Sequence, residues 1–322
     1  VTFEGGYFKM PFNAKSGKFS ASINTVEIGC GDKKITIGGE NVLPFYTFDA
    51  PVENAPKVGV EITDFGLEIE PECIKKYYEG CETVVDMAKK AASFEGVDFL
   101  SFRMEGGDPN GANKSTDELI AMLKEIAAAV DIPLVVCGCK HVEKDAELLA
   151  KAAEAVEGKN AVILAAREEN YKNVGAAAGL AYKQLVGAES SVDINLAKQL
   201  NVLLTQLGVD GKSILMNVGS ASAGYGFEYV VSTMDRVKAA ALSQGDTTLQ
   251  MPIITPVASE TWGVKEAVAS EADMPEWGNQ EERGIDMEVE TAAAVLAAGS
   301  NAVILKHPES IKTISKMIKE LM

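Results

Sequence analysis

Residues 136–145 read VCGCKHVEKD, which puts Cys137, Cys139 and His141 on alternate positions at the end of an apolar run. Thiolates and imidazoles are common zinc ligands, and paired thiols are the usual redox couple. The spacing suits neither. Zinc ribbons and thioredoxin-like pairs use C-x2-C, whereas this is C-x-C with no second pair at ligand spacing. An iron–sulfur cluster needs four thiolates together, and Cys30, Cys73 and Cys81 are scattered. His141 and His307 are the chain's two histidines, which removes His-rich metal sites and most Ser-His-Asp arrangements. The stretch reads instead as a strand end. Val135 and Cys137 share one side, Gly138 leaves the strand, and Cys139 opens the next loop as a mouth-facing thiol.

Two glycine-rich stretches offer backbone rather than side-chain chemistry. EGGDPNGAN (105–113) combines Gly106, Gly107 and Gly111 with the Asp108-Pro109 turn and Asn110, just before a helix that Ser115 can cap. NVGSASAGYGFEY (217–229) alternates Gly219, Gly224 and Gly226 with Ser220, Ala221 and Tyr225. No Lys follows as it would in G-K-[ST], so a phosphate cradle is weakly supported. Such small residues suit a flat contact with a large ring or another protein. Lys306 ends a later strand and raises the Schiff-base question, but no acid–base pair accompanies it, so it reads as a solvated or partner-facing charge. Asp64, Arg103, Glu169 and Asn217 also fall at strand ends.

The elements that must position these residues recur in a regular order. Apolar β-branched runs lie at 58–63, 97–102, 132–138, 160–166, 183–189, 213–218, 251–257 and 301–307. Helical spacing fills the intervals near 71–93, 115–130, 143–156, 168–182, 193–207, 225–243, 279–298 and 308–321. The runs are continuous rather than alternating, as in parallel strands buried on both faces. Eight strand–helix units in roughly 260 residues predict an α/β fold, a (β/α)8 TIM barrel over 57–322. Residues 1–56 lie outside the repeat. Within them 20–29 and 33–39 predict a β-hairpin of the kind that can plug a barrel's N-terminal mouth. The segment 259–278, with both tryptophans, predicts an elaborated loop on the C-terminal face.

Composition narrows the partners. The chain has 322 residues and a formal net charge of −17, so nucleic acid and anionic membrane surfaces are disfavoured. No apolar run reaches spanning length, and the glycine-rich start has no secretory stretch. An odd number of irregularly spaced cysteines in a chain with a large core predicts reduced thiols in a cytoplasm.

In order and spacing, GGDPNGAN (106–113), ENYK (169–172), DIN-x3-QLN (193–201), GYG-x-EY (224–229) and HPE (307–309) resemble the small subunit of the corrinoid iron–sulfur protein of the acetyl-CoA (Wood–Ljungdahl) pathway of anaerobes. The resemblance covers most of the chain. It implies a non-catalytic barrel that forms a heterodimer with a large subunit carrying the [4Fe-4S] cluster and the corrinoid (cobalamin). The small subunit covers the corrinoid at the interface and binds no cofactor alone. Further partners implied are a methyltetrahydrofolate methyltransferase, which loads the methyl group, and acetyl-CoA synthase/CO dehydrogenase, which receives it. No D-x-H-x2-G corrinoid motif occurs in this chain. The glycine-rich loops then become the corrinoid-facing surface, with Gly106, Gly107, Asp108, Asn110, Gly138, Cys139, Gly219, Ser220, Ala221, Gly224 and Tyr225 nearest. Related pterin-binding methyltransferases are also barrels, with Asp and Asn at strand ends. Asp64 and Asn217 therefore keep a pterin-dependent methyltransferase acting by itself as the alternative, ahead of an aldolase-like use of Lys306.

Overall fold

The structure is a computed structural model and describes residues 15–322. Eight parallel strands form one sheet: β3 (Lys57–Thr63), β4 (Phe99–Arg103), β5 (Leu134–Cys137), β6 (Val162–Ala166), β7 (Leu185–Glu189), β8 (Ile214–Asn217), β9 (Ile254–Pro256) and β10 (Ala302–Leu305). Each pairs with its sequence neighbour, and β10 pairs back onto β3. A parallel bridge, Met216 to Ile253, joins β8 to β9 and closes the ring. This is the barrel that the alternation of apolar runs and helical spacing predicts.

Pleating divides each strand between two cores. Val58, Val60 and Ile62 face outward onto the helices, with Leu100, Phe102, Val136 and Ile163 in the same cluster. Phe99, Val135, Cys137, Val162, Leu164, Leu185, Leu215, Ile254, Ala302 and Ile304 fill the interior. Gly59 is required there, because a Cβ would fall on the Phe99 ring.

The principal outer helices are α2 (Val84–Ala91), α3 (Thr116–Ala129), α4 (Val142–Ala155), α6 (Ile194–Leu207), α7 (Phe227–Ser243), α10 (Gln280–Ala298) and α11 (Pro308–Leu321), and the excursion after β9 holds two single turns, α8 (Ala258–Thr261) and α9 (Lys265–Val268). Two intervals depart from the predicted single helices. The 71–93 interval breaks into a short α1 (Glu72–Lys75) and α2. Gly80 takes a φ of 83° between them, and Thr83 starts α2 afresh through a capping box with Asp86. The 168–182 interval holds one α-helical turn, α5 (Tyr171–Val174), followed by a π-helical segment over Gly175–Ala181. There Gly175 and Gly179 let the backbone press against Leu204 and Val209. No helix among the described residues is long and apolar enough to cross a membrane.

The hairpin strands are β1 (Val26–Ile28) and β2 (Ile35–Ile37), antiparallel and shorter than the flanking apolar runs. Val26, Ile28 and Ile37 join the interior apolar cluster. The Gly29 N–H donates to the Asn160 carbonyl just before β6, and the Asn24 N–H donates to that of Gln250 before β9. The hairpin thus plugs the N-terminal mouth. Lys238 of α7 pins the chain that follows it, bonding Glu40 at 2.7 Å and Asn301 at 3.1 Å. Burial pushes the Glu40 carboxyl up, but the Lys238 charge and the Asn301 amide outweigh it and hold Glu40 below the usual range.

Lys238→Met should cost about 3 kcal/mol in urea unfolding at neutral pH, because it leaves Glu40 buried without its cation. A depressed carboxyl contributes stability above its ordinary value of 4.5 and loses it as pH falls through the lower folded value. The gap between wild type and variant should therefore narrow in acid. A neutral-pH loss below about 1 kcal/mol would contradict this role.

Candidate functional site at the barrel mouth

On five strands the interior position nearest the C-terminal end is polar, while Cys137 of β5 and Leu164 of β6 keep that layer apolar. Glu61, Arg103, Glu189, Asn217 and Lys306 all occupy this upper layer, each in register with interior residues two positions earlier. They line two adjoining cavities. The smaller, of about 240 Å³, is bounded by Cys137, Leu164, Arg167, Glu189, Asn217 and Glu260 among others. The larger, of about 550 Å³, is bounded by Glu61, Glu70, Cys139, Trp262 and Lys306 among others.

Charges in this layer neutralise one another. Arg103 donates from Nε (3.0 Å) and Nη2 (2.8 Å) to one oxygen of Glu61, with both side chains buried. Burial pushes Glu61 up, yet Arg103 and then Lys306 outweigh it, so the carboxyl stays ionised below its usual range. Lys306 reaches both Glu70 oxygens, at 2.8 and 3.0 Å. Burial favours the neutral amine, but Glu70 and Glu61 override it and hold Lys306 protonated. Lys306 is therefore a buried ion-pair partner, not the solvated or partner-facing charge predicted, because Glu70 on the loop after β3 folds over it. A protonated amine is no Schiff-base nucleophile. Arg167 binds Glu189 through Nε (3.1 Å) and the Lys140 carbonyl through Nη1 (2.9 Å). Asn217 joins Glu189 at 3.4 Å to the Gly219 N–H at 3.1 Å.

The predicted site residues separate into groups. Gly138 borders both cavities, Asp108 and Cys139 the larger, and Gly219 and Ser220 the smaller. The Ser220 hydroxyl is buried there without a hydrogen-bond partner. Gly106 and Gly107 are buried beneath the rim; the Gly106 N–H donates to Asp64 at 2.9 Å, and Lys114 also pairs with Asp64. Asn110 sits in an exposed turn held by Asp108. Ala221 and Tyr225 border a separate groove beside α7, and Gly224 is exposed at a φ of 86°. Glu169 is exposed and lines neither cavity, while Arg167 lines the smaller one and Asn170 is buried.

The opening cysteines face different ways. Cys137 looks into the smaller cavity, 3.5 Å from the Ser101 hydroxyl. Cys139 donates its S–H to Asp145 at 3.2 Å; burial and then the Asp145 charge push the thiol up to about 12. Asp145 also accepts the Cys139 N–H at 2.8 Å, and a Cβ on Gly138 would strike it, so this carboxylate fixes the loop. Among the described residues no three His, Cys, Asp or Glu side chains converge as a metal site.

Behind β10 lies a second polar nest. Glu288 of α10 accepts the backbone N–H groups of Lys306 (2.6 Å) and His307 (3.1 Å) and is fully buried. Burial raises its carboxyl to about 7, against the pull of those bonds. The Trp262 indole N–H and the Ser310 hydroxyl turn toward it outside good bonding geometry. The His307 Nδ1 accepts the Glu309 N–H at 3.2 Å, so Nε2 carries the proton and donates to Glu281. Its ring stacks on Trp262 and meets the edge of Tyr77. Trp262 is thus buried, seated on Gly284, and Trp277 is half-buried between Lys265 and Arg283; neither projects freely from the excursion after β9.

A family profile described as CO dehydrogenase/acetyl-CoA synthase delta subunit matches residues 25–314. The chain belongs to that family. The acetyl-CoA decarbonylase/synthase complex subunit delta 1 of Methanosarcina thermophila is 30% identical over 299 residues, 91% of this chain and 67% of that protein. The delta subunit of Methanothermobacter thermautotrophicus is 30% identical over 309 residues, 95% of this chain and 77% of that one. This delta-family chain therefore spans about two thirds to three quarters of their length. Among solved structures, dihydropteroate synthase of Xanthomonas albilineans superposes with a TM-score of 0.55 over 92% of this chain and 98% of that one, at 14% identity. The Stenotrophomonas maltophilia enzyme gives 0.52 over 83% and 92%, also at 14% identity. That likeness is one of fold.

Two outcomes test the electrostatics. Lys306→Met should lose about 3 kcal/mol of stability by stranding Glu70, and borohydride with a small aldehyde should leave wild-type Lys306 unmodified. A trapped adduct at Lys306 would overturn the ion-pair assignment. For Glu288, the ordinary value of 4.5 against about 7 in the fold means that the folded chain keeps a proton the unfolded chain releases. Its contribution is full below that ordinary value and falls as pH rises towards the folded one. Glu288→Gln should remove this slope from urea unfolding measured between about pH 5 and pH 8. Parallel wild-type and variant profiles would contradict it.

Proposed function

We propose that this chain is the non-catalytic barrel subunit of a corrinoid iron–sulfur methyl carrier, assembled with a large subunit that holds the corrinoid and a [4Fe-4S] cluster. The carrier takes a methyl group from methyltetrahydrofolate through a methyltransferase and delivers it to acetyl-CoA synthase/CO dehydrogenase. The setting consistent with reduced thiols and the −17 charge is the cytoplasm of an anaerobe.

The observation that carries the reading is the pairing of Glu61 with Arg103, Glu70 with Lys306, Arg167 with Glu189 and Lys140 with Glu260 around one mouth. These eight groups are each engaged with another, and of the ionic groups lining the larger cavity only Glu105 and Asp108 have no ion-pair partner among the described residues, which suits a surface for something to lie against rather than an acid–base machine. A corrinoid is a broad ring fringed by neutral amides. Backbone at Gly138 and Gly219 and the unpartnered Ser220 hydroxyl fit such a fringe, with Cys137 and Leu164 as apolar floor. The bound group supplies the methyl-carrying chemistry. This chain's residues orient its edge and limit water above it. Asp108 and Cys139 extend this surface into the larger cavity, whereas Tyr225 and Gly224 lie beside the separate groove at α7 and would meet the large subunit rather than the ring. Gly106, Gly107, Asn110 and Ala221 shape the loops that present it.

Coexpression with the large subunit should give a one-to-one complex by light scattering. Ser220→Trp, which crowds the smaller cavity, should weaken association roughly tenfold and leave the far-ultraviolet spectrum unchanged. A chain that stays monomeric beside its large partner sinks the reading. Micromolar binding of methyltetrahydrofolate to the isolated chain would favour the pterin-dependent methyltransferase instead.

A further inference from the structure

The two mouth cavities are separated by very little. They share Arg103, Gly138 and Lys140 as lining residues. Arg103 forms buried floor, so the divide at the rim is made by the loop after β5. From it the Lys140 ammonium reaches the Glu260 carboxylate at 2.9 Å. Glu260 belongs to α8 (Ala258–Thr261), which follows β9, so the contact spans the opening between distant strands. Glu260 lines the smaller cavity and its neighbour Ser259 the larger. The ion pair therefore lies along the partition.

We propose that the Lys140–Glu260 pair is a gate across the barrel mouth: closed, it divides the opening into two chambers; open, it joins them into one cleft that a flat ligand can span. The use of the gate rests on the ligand-facing reading above, whereas its existence does not.

Three features set this pair apart from its neighbours. The side chains are 53% and 36% exposed, so water can solvate both ends once they part, and opening costs little. Glu61–Arg103 and Glu70–Lys306 are buried, and separating them would strand charge inside the barrel. Second, Lys140 takes a left-handed φ of 69°, which a side-chain-bearing residue adopts only when its surroundings compel it. Here the Lys140 carbonyl accepts Arg167 Nη1, and Asp145 anchors the preceding Cys139 N–H. Third, that anchoring makes the backbone a fixed post. Only the lysine and glutamate side chains need to swing, a rotamer motion rather than a loop refolding.

The chain carries its own reporters. Cys137 lines the smaller chamber beneath the pair, while Cys73 is buried in α1 outside both cavities. The full-length protein is treated with methyl methanethiosulfonate, and labelling at each cysteine is followed by mass spectrometry. Glu260→Gln and Lys140→Met should each speed Cys137 labelling about three- to fivefold, leaving Cys73 unchanged. Raised salt should speed the wild type and have less effect on Glu260→Gln. Exchanging the charges, Lys140→Glu with Glu260→Lys, should restore slow labelling. Unchanged Cys137 labelling in both single variants would overturn the gate. So would an equal rise at Cys73, which reports general loosening. The assay contains no corrinoid and no partner, so its failure and that of the functional reading are separate results.

Discussion

A pair of opposite charges shut inside the top of the barrel sets the terms for what surrounds it. Arg103 and Glu61 point inward from adjacent strands, where Glu61 stays ionised because of Arg103 and the permanent charge of Arg103 would be stranded without Glu61. Glu61 makes a third charge, Lys306, tolerable at the end of the neighbouring strand, and Lys306 in turn draws Glu70 and its loop over the rim. Outward from this centre the pairs become progressively wetter, from Arg167–Glu189 to Lys140–Glu260. Fixity follows burial: the innermost pairs hold the strand ends in register, and the outermost is free to part.

The barrel was legible because burying both faces of a parallel strand demands unbroken apolar runs, and such runs stand out even without an alignment. Where helices failed to appear as single units, the cause was local and visible only in hindsight. Gly80 and the Thr83 cap restart one, and the glycines of 175–181 loosen another. The mouth was less legible. Arg103, Asn217 and Lys306 could be placed at strand ends by position alone, but their partners lie far along the chain; Lys306 and Glu70 are 236 residues apart. The sequence does carry one signal for them: a lone Glu61 inside VGVEIT, and Glu189 two positions past Gly187, both fall on the interior face by the period of two. Arg167, Glu260 and Glu288 carried no such mark.

Trp262 shows how a residue with the profile of an exposed anchor becomes internal. It fills the space above Gly284, stacks on His307, and so ties the excursion after β9 to α10 and to the start of α11. Arg283 completes the binding by donating to the carbonyls of Glu266, Ala269 and Gly278. A loop that looked long enough to move is clamped along its length, which narrows the mobile part of the rim to individual side chains.

The plugged lower mouth has a consequence for traffic. With Val26, Ile28 and Ile37 wedged among the interior residues, the barrel is a blind vessel rather than a tube. Whatever approaches the upper opening must withdraw by the way it came, and displaced water has no rear exit. Two visitors that both need that doorway are obliged to take turns. Order in time, not a division of routes, is then what keeps their errands apart.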